Sequence, residues 1–69
     1  MIKNNLSMIM GAKRINIMEL SKMSNLHYQT VYALYHDRSK GVEFETLNKL
    51  CWALECSPND IFQYIEDTI

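Results

Sequence analysis

Between Tyr28 and Ala33 the chain sets side chains that combine hydrogen-bonding groups with apolar surface, at intervals that share one side of a helix. Tyr28, Gln29, Tyr32 and Ala33 stand at i, i+1, i+4 and i+5, away from the apolar pair Val31 and Leu34. The Gln29 amide donates and accepts at once, the pattern that pairs with an adenine edge. The Tyr28 and Tyr32 side chains offer a hydroxyl for a phosphate oxygen and a ring for a thymine methyl, and the Ala33 methyl suits the latter. Other chemistries are poorly served. Cys51 and Cys56, with His27 and His36, give C-x4-C and H-x8-H spacings that fit no common structural zinc pattern, so no metal or other cofactor is expected. Cys51 reads as a small core residue and Cys56 as a loop closure. There is no Gly-rich phosphate loop, no H-E-x-x-H, and no serine or cysteine partner for either histidine at a recognisable spacing. Glu43 and Glu45 fit the start of a helix, where negative charge is favourable. The chain is therefore not expected to be an enzyme.

Five short helices are predicted to position these groups. The first, about Leu6 to Lys13, aligns Leu6, Ile9 and Met10. The second runs from about Ile17 to Met23 behind Asn16, a good N-cap, with Leu20 and the small Ser21 on its inner side. Ser24 and Asn25 end it, since Asn tolerates the left-handed conformation of a helix-ending turn. The third, about Tyr28 to Tyr35, turns Val31, Leu34 and Tyr35 inward. After a polar loop from Arg38 to Glu43, the fourth runs from about Phe44 to Leu54 with Phe44, Leu47, Leu50, Cys51 and Leu54 as its apolar stripe. Ser57-Pro58-Asn59-Asp60 opens the fifth, with Ile61, Phe62 and Ile65 as its apolar contacts. Met8, Met10, Met18 and Met23 are flexible filler wherever they face inward.

With 69 residues, 48% of them hydrophobic, two glycines and one proline, the chain reads as one globular domain spanning 1–69. No apolar run approaches the roughly 20 residues that cross a bilayer. The opening MIKNNLSMIMGAKR does not resemble a secretory signal, and a cytoplasmic protein without a membrane partner is expected. The formal net charge of -1 hides a gradient. Residues 1–40 sum to +4, with Lys3, Lys13, Arg14, Lys22, Arg38 and Lys40 against Glu19 and Asp37. Residues 41–69 sum to -5, with Lys49 against Glu43, Glu45, Glu55, Asp60, Glu66 and Asp67. One end suits a polyanion and the other solubility.

A helix, a short turn and a second helix, with Leu20, Ser21, Asn25, Leu26, Val31 and Leu34 at the buried and turning positions, fit a helix-turn-helix unit. The chain resembles the phage lambda repressor and Cro-like (XRE-type) regulator family. The likeness covers nearly its whole length: the leading helix, NIMELSKMSNLHYQTVYALYHDR, and FETLNKLCWALECSPNDIF. It includes T-L-x-K-L-x-x-A-L from Thr46 to Leu54 and the S-P-x-D that follows. Asn25 stands where glycine is commoner in that family, and His27 where serine or threonine often caps the recognition helix.

The resemblance implies an all-α, compact five-helix, lambda-repressor-like domain, with the helix-turn-helix formed by helices two and three, that binds double-stranded DNA and regulates transcription as a repressor. It implies that Tyr28, Gln29, Tyr32 and Ala33 face the base edges. Phosphates are then expected at the amides opening helix two and at Arg14, Asn16, Asn25, His27, Thr30, Arg38 and Lys40. The ordinary alternative for each is a solvated surface residue, and for the tyrosines partial core packing. A homodimer is expected, with the tail from Phe62 to Ile69 as its interface unless that tail caps its own core. No small-molecule ligand is implied. A protein-interaction or antitoxin-like module on the same scaffold is the second reading, kept open by the pI near 6.0 and the apolar tail.

Overall fold

Among the described residues, four with left-handed backbones punctuate the chain: Arg14 (φ 57°), Asn25 (φ 58°), Asp37 (φ 58°) and Glu55 (φ 54°). Each ends a helix, and together they delimit α1 (Leu6–Lys13), α2 (Ile17–Ser24), α3 (Tyr28–Tyr35) and α4 (Phe44–Leu54). The amide just after each left-handed residue donates to a carbonyl five residues back. Ile15 bonds Met10 at 3.1 Å, Leu26 bonds Ser21 at 3.1 Å, Arg38 bonds Ala33 at 2.8 Å and Cys56 bonds Cys51 at 3.1 Å. These bonds satisfy carbonyls that a helix end otherwise leaves without partners. The computed structural model describes residues 1–67.

Helix starts are equally local. At α2 the Asn16 Oδ1 accepts from the Glu19 amide at 2.8 Å, while the Glu19 carboxylate accepts from the Asn16 amide at 3.0 Å. Asn4 Oδ1 accepts from the Leu6 amide at 2.9 Å at the head of α1. The short α5 (Pro58–Ile61) begins where the Ser57 amide and hydroxyl both donate to Asp60 Oδ2, at 2.9 and 3.1 Å. Those two donors hold the Asp60 carboxyl below the usual carboxylate range, the amide more than the hydroxyl.

The apolar stripes converge on a core of Leu6, Met10, Leu20, Val31, Leu34, Leu50, Leu54 and Ile61. Burial of each such side chain contributes roughly 1.5–3 kcal/mol. Ser21 and Ser24 are also buried, and each hydroxyl donates back to its own helix, to Met18 O and Leu20 O, at 2.7 Å. Their small size lets the neighbouring helices close on α2.

Several expectations need correction. The fold is not wholly helical, because β1 (Ile2–Asn4) pairs antiparallel with β2 (Phe62–Tyr64), Ile2 opposite Tyr64 and Asn4 opposite Phe62. The fifth helix stops at Ile61, where the Asn5 amide donates to Ile61 O at 2.7 Å and Phe62 turns extended at φ -122°, ψ 123°. Phe44, assigned to the apolar stripe of the fourth helix, is 90% exposed, because the first turn of α4 projects past the edge of the core. Of the four methionines offered as filler, only Met10 is buried, whereas Met8, Met18 and Met23 face solvent. Tyr35 lies at the margin of the core, exposed rather than enclosed. Cys51 and Cys56 are free thiols, both half-buried, and burial, followed by the adjacent Cys51, pushes the Cys56 thiol up.

The N- and C-terminal segments are tied by side chains as well as by the strand ladder. Asn5, 4% exposed, donates from Nδ2 to Asp60 O at 3.3 Å and to Gln63 Oε1 at 3.0 Å. Asn4 Nδ2 donates to Leu34 O at 2.7 Å, which fastens β1 to the last turn of α3.

Candidate nucleic-acid interface

Asn25 accomplishes the reversal between α2 and α3. Its left-handed backbone lets the Leu26 amide return to Ser21 O, so α3 begins two residues later behind His27. Val31 and Leu34 are buried, which fixes the rotation of α3 about its axis. At 100° per residue the opposite side then carries Gln29 and His36 at its middle, flanked by Tyr32 and Ala33, with Tyr28 farther round.

Tyr28 and Gln29 are exposed, while Tyr32 and Ala33 are half-buried. Tyr28 lines a shallow depression of about 340 Å³ together with Asn16, Met18 and Tyr35, which joins the head of α2 to the outer surface of α3. Ala33 lies to the other side, in a groove of about 260 Å³ shared with Thr30, Gly41, Glu43 and Thr46. Gln29 projects between these two hollows.

At the head of α2 the Asn16 and Glu19 amides are already bonded by the reciprocal cap. The first-turn amides left for an anion are those of Ile17 and Met18. Glu19 places a carboxylate on that same turn, so an incoming phosphate meets a like charge as well as the positive helix end. Among the described residues, ion pairs join the N-terminal ammonium to Asp67 and Lys49 to Glu45, each at 3.4 Å. The exposed Lys3, Lys13, Arg14, Lys22, Arg38 and Lys40 stand outside those pairs, and the positive half of the sequence keeps its charge for a partner.

A family model for the Cro/C1-type HTH DNA-binding domain matches residues 5–67. The chain belongs to the Cro/C1-type helix-turn-helix family. Among curated proteins it is similar to the uncharacterized HTH-type transcriptional regulator YozG of Bacillus subtilis (strain 168), with 29% identity over 63 residues, 91% of this chain and 75% of that protein. This Cro/C1-type domain thus stands among DNA-binding transcription regulators, a class that acts by binding.

Within this Cro/C1-type domain the remaining predicted contacts are dispersed around the α2–α3 unit. Arg14 is the left-handed residue after α1, Asn16 caps α2 and Asn25 turns the chain. His27 precedes α3, where its side chain makes no cap bond and its carbonyl accepts from the Thr30 and Val31 amides at 3.0 and 3.2 Å. Arg38 and Lys40 lie in the exposed loop beyond α3.

Sequence reasoning missed His36 and Tyr35. The Tyr32 ring lies tilted against His36 with centroids 4.3 Å apart and against Tyr28 at 6.1 Å, and Tyr35 meets His36 edge-on at 4.9 Å. The i, i+4, i+8 spacing of Tyr28, Tyr32 and His36 was the available signal. Among the described residues no helix is long and apolar enough to cross a membrane, and no group of three or more His, Cys, Asp or Glu side chains is placed to share a metal ion.

Proposed function

We propose that this Cro/C1-type protein represses transcription by occupying an operator, with α3 of each copy of a homodimer in the major groove. The observation that carries the reading is the outward face of α3. It leaves Gln29 exposed between two hollows on a helix whose inner face is buried, within a chain whose family binds DNA. Gln29 is the direct reader, Tyr28, Tyr32 and Ala33 border it, and Arg14, Asn16, Asn25, His27, Thr30, Arg38 and Lys40 hold phosphates with the Ile17 and Met18 amides. Half-sites lie one helical turn apart, about 34–36 Å. For the dimer contact, β2 is partly committed to its own chain through β1, while the cross-strand pair Ile2 and Tyr64 stays exposed at 62% and 70%. Of the tail assigned to that contact, residues 68 and 69 lie outside the described residues.

Duplex selection from a random library, followed by titration of Gln29→Ala and Arg14→Ala at several salt concentrations, tests the reading. Loss of Gln29 is expected to cost about 1–3 kcal/mol on the preferred duplex and to relax one base-pair position. Loss of Arg14 is expected to weaken preferred and random DNA alike and to lower the salt slope by about one. No DNA binding by the wild type at low salt would leave the protein-interaction reading. Phe44 and Trp52, 90% and 75% exposed on α4, favour that second reading.

A further inference from the structure

Tyr32 flanks the middle of the outward face of α3, on the side of Tyr28, and is half-buried. Its cover is local. Tyr28 flanks the ring on one side at 6.1 Å and His36 on the other at 4.3 Å, and the Arg38 guanidinium carbon stands 5.7 Å from the ring centroid. Arg38 reaches that position through the backbone. The left-handed Asp37 folds the chain back at the end of α3, and the Arg38 amide donates to Ala33 O at 2.8 Å, one residue along from Tyr32.

A guanidinium within about 6 Å of an aromatic centroid is attracted by the ring quadrupole. Such a contact engages the cation through the ring face without using up its N–H groups as hydrogen-bond donors, and those donors are what a phosphate oxygen recognises. Arg38 is exposed and lies outside the ion pairs of the described residues, so no carboxylate competes for those donors. A long side chain already held in place loses less freedom when its partner arrives.

We infer that Tyr32 is a positioning residue, whose ring holds the Arg38 guanidinium beside the outward face of α3 for a DNA phosphate, in place of reading a base itself. The inference rests on the DNA-binding reading given above and reassigns one residue within it. The hydroxyl of Tyr32 is dispensable on this account, and the ring is not.

Two measurements test it. In the free protein, the Arg38 side-chain protons are expected to show an upfield ring-current shift by NMR that survives in Tyr32→Phe and disappears in Tyr32→Leu. On DNA, Tyr32→Phe is expected to bind as the wild type does at every base-pair position. Tyr32→Leu is expected to weaken preferred and random duplexes alike by about 2–5-fold, the size of an exposed cation–π contact. In an Arg38→Ala background the same Tyr32→Leu change is expected to cost nothing further, because the two residues act as one unit. Relaxed discrimination at a single base pair in Tyr32→Phe would overturn the inference and make the hydroxyl a reader. Equal costs of Tyr32→Leu with and without Arg38 would overturn it too. Should Tyr32→Leu fail to fold, Tyr32→Phe and the wild-type ring-current shift still decide, since absence of that shift refutes the stacking. Loss of all wild-type DNA binding with the shift intact would instead refute the function proposed above, and the phosphate role with it.

Discussion

Replacing Glu55 by glycine is expected to stabilise the fold. Glu55 ends α4 at φ 54°, a left-handed conformation that an ordinary L-residue adopts at a cost of roughly 1–2 kcal/mol. Glycine removes that cost but brings a more flexible unfolded chain, which returns about 0.5–1 kcal/mol. Removing a carboxylate from the negative end of a helix adds a few tenths. The side chain is exposed and outside the ion pairs of the described residues, so little else is lost. The net gain is about 1 kcal/mol, or a rise in Tm of about 4–8 °C for a domain of this size. Calorimetry with a urea titration measures both quantities, and DNA affinity should be unchanged because Glu55 lies outside the proposed contacts. Asn25→Gly serves as the internal comparison. Asn tolerates the left-handed region better, so its φ of 58° stores less strain and its gain should be smaller. A fall in Tm for Glu55→Gly, or a larger gain at Asn25 than at Glu55, would refute the assignment of strain to these helix-ending residues.

Asn5→Ala should cost about 1–3 kcal/mol, since a buried amide loses its bonds to Asp60 O and Gln63 Oε1; a urea midpoint within error of the wild type would contradict this. Gly11→Ala should gain roughly 0.5–1 kcal/mol by the same assay, because an added Cβ meets nothing within 4 Å; a loss would show that the site needs glycine for a reason outside the free chain. Asp60 should titrate below the same residue in the unfolded chain, so its contribution is present above the unfolded pKa and fades as pH falls through the folded value. Ser57→Ala removes the hydroxyl and keeps the amide, the stronger of the two causes, so the carboxyl should return only part of the way in an NMR titration. A complete return would reverse that ranking.

Much of the helical unit is legible in the chain because its signals are local. Asn16 and Glu19 stand three residues apart and cap α2, Asn25 takes the left-handed turn, and Leu47, Leu50 and Leu54 repeat at helical spacing. The strand pair is not legible in this way. Ile2, Lys3 and Asn4 are too few to display alternation, and their partners lie some sixty residues away. Ile61, Phe62 and Ile65 read equally as the face of a short helix, a known ambiguity of brief apolar runs, until the Asn5 amide claims Ile61 O. At the candidate interface the exposure of Gln29 follows directly from the burial of Val31 and Leu34. The approach of Arg38 to Tyr32 does not, since it depends on Asp37 adopting a left-handed backbone that its residue type permits without requiring.

The bond from Asn4 Nδ2 to Leu34 O makes the β1–β2 ladder part of the energetics of α3. Leu34 O also accepts from the Asp37 amide at 3.2 Å, so the last turn of the exposed helix is secured from both its own chain end and the far end of the sequence. Peeling β1 away removes one of those donors and loosens the turn that carries Arg38. Protection of the Asp37 and Arg38 amides against hydrogen exchange is therefore tied to the opening free energy of the strand pair, and the two would exchange as one cooperative unit. Any partner that grips the outer edge of β1 thereby alters how long the far end of α3 stays closed, at a distance from Gln29, the proposed reader.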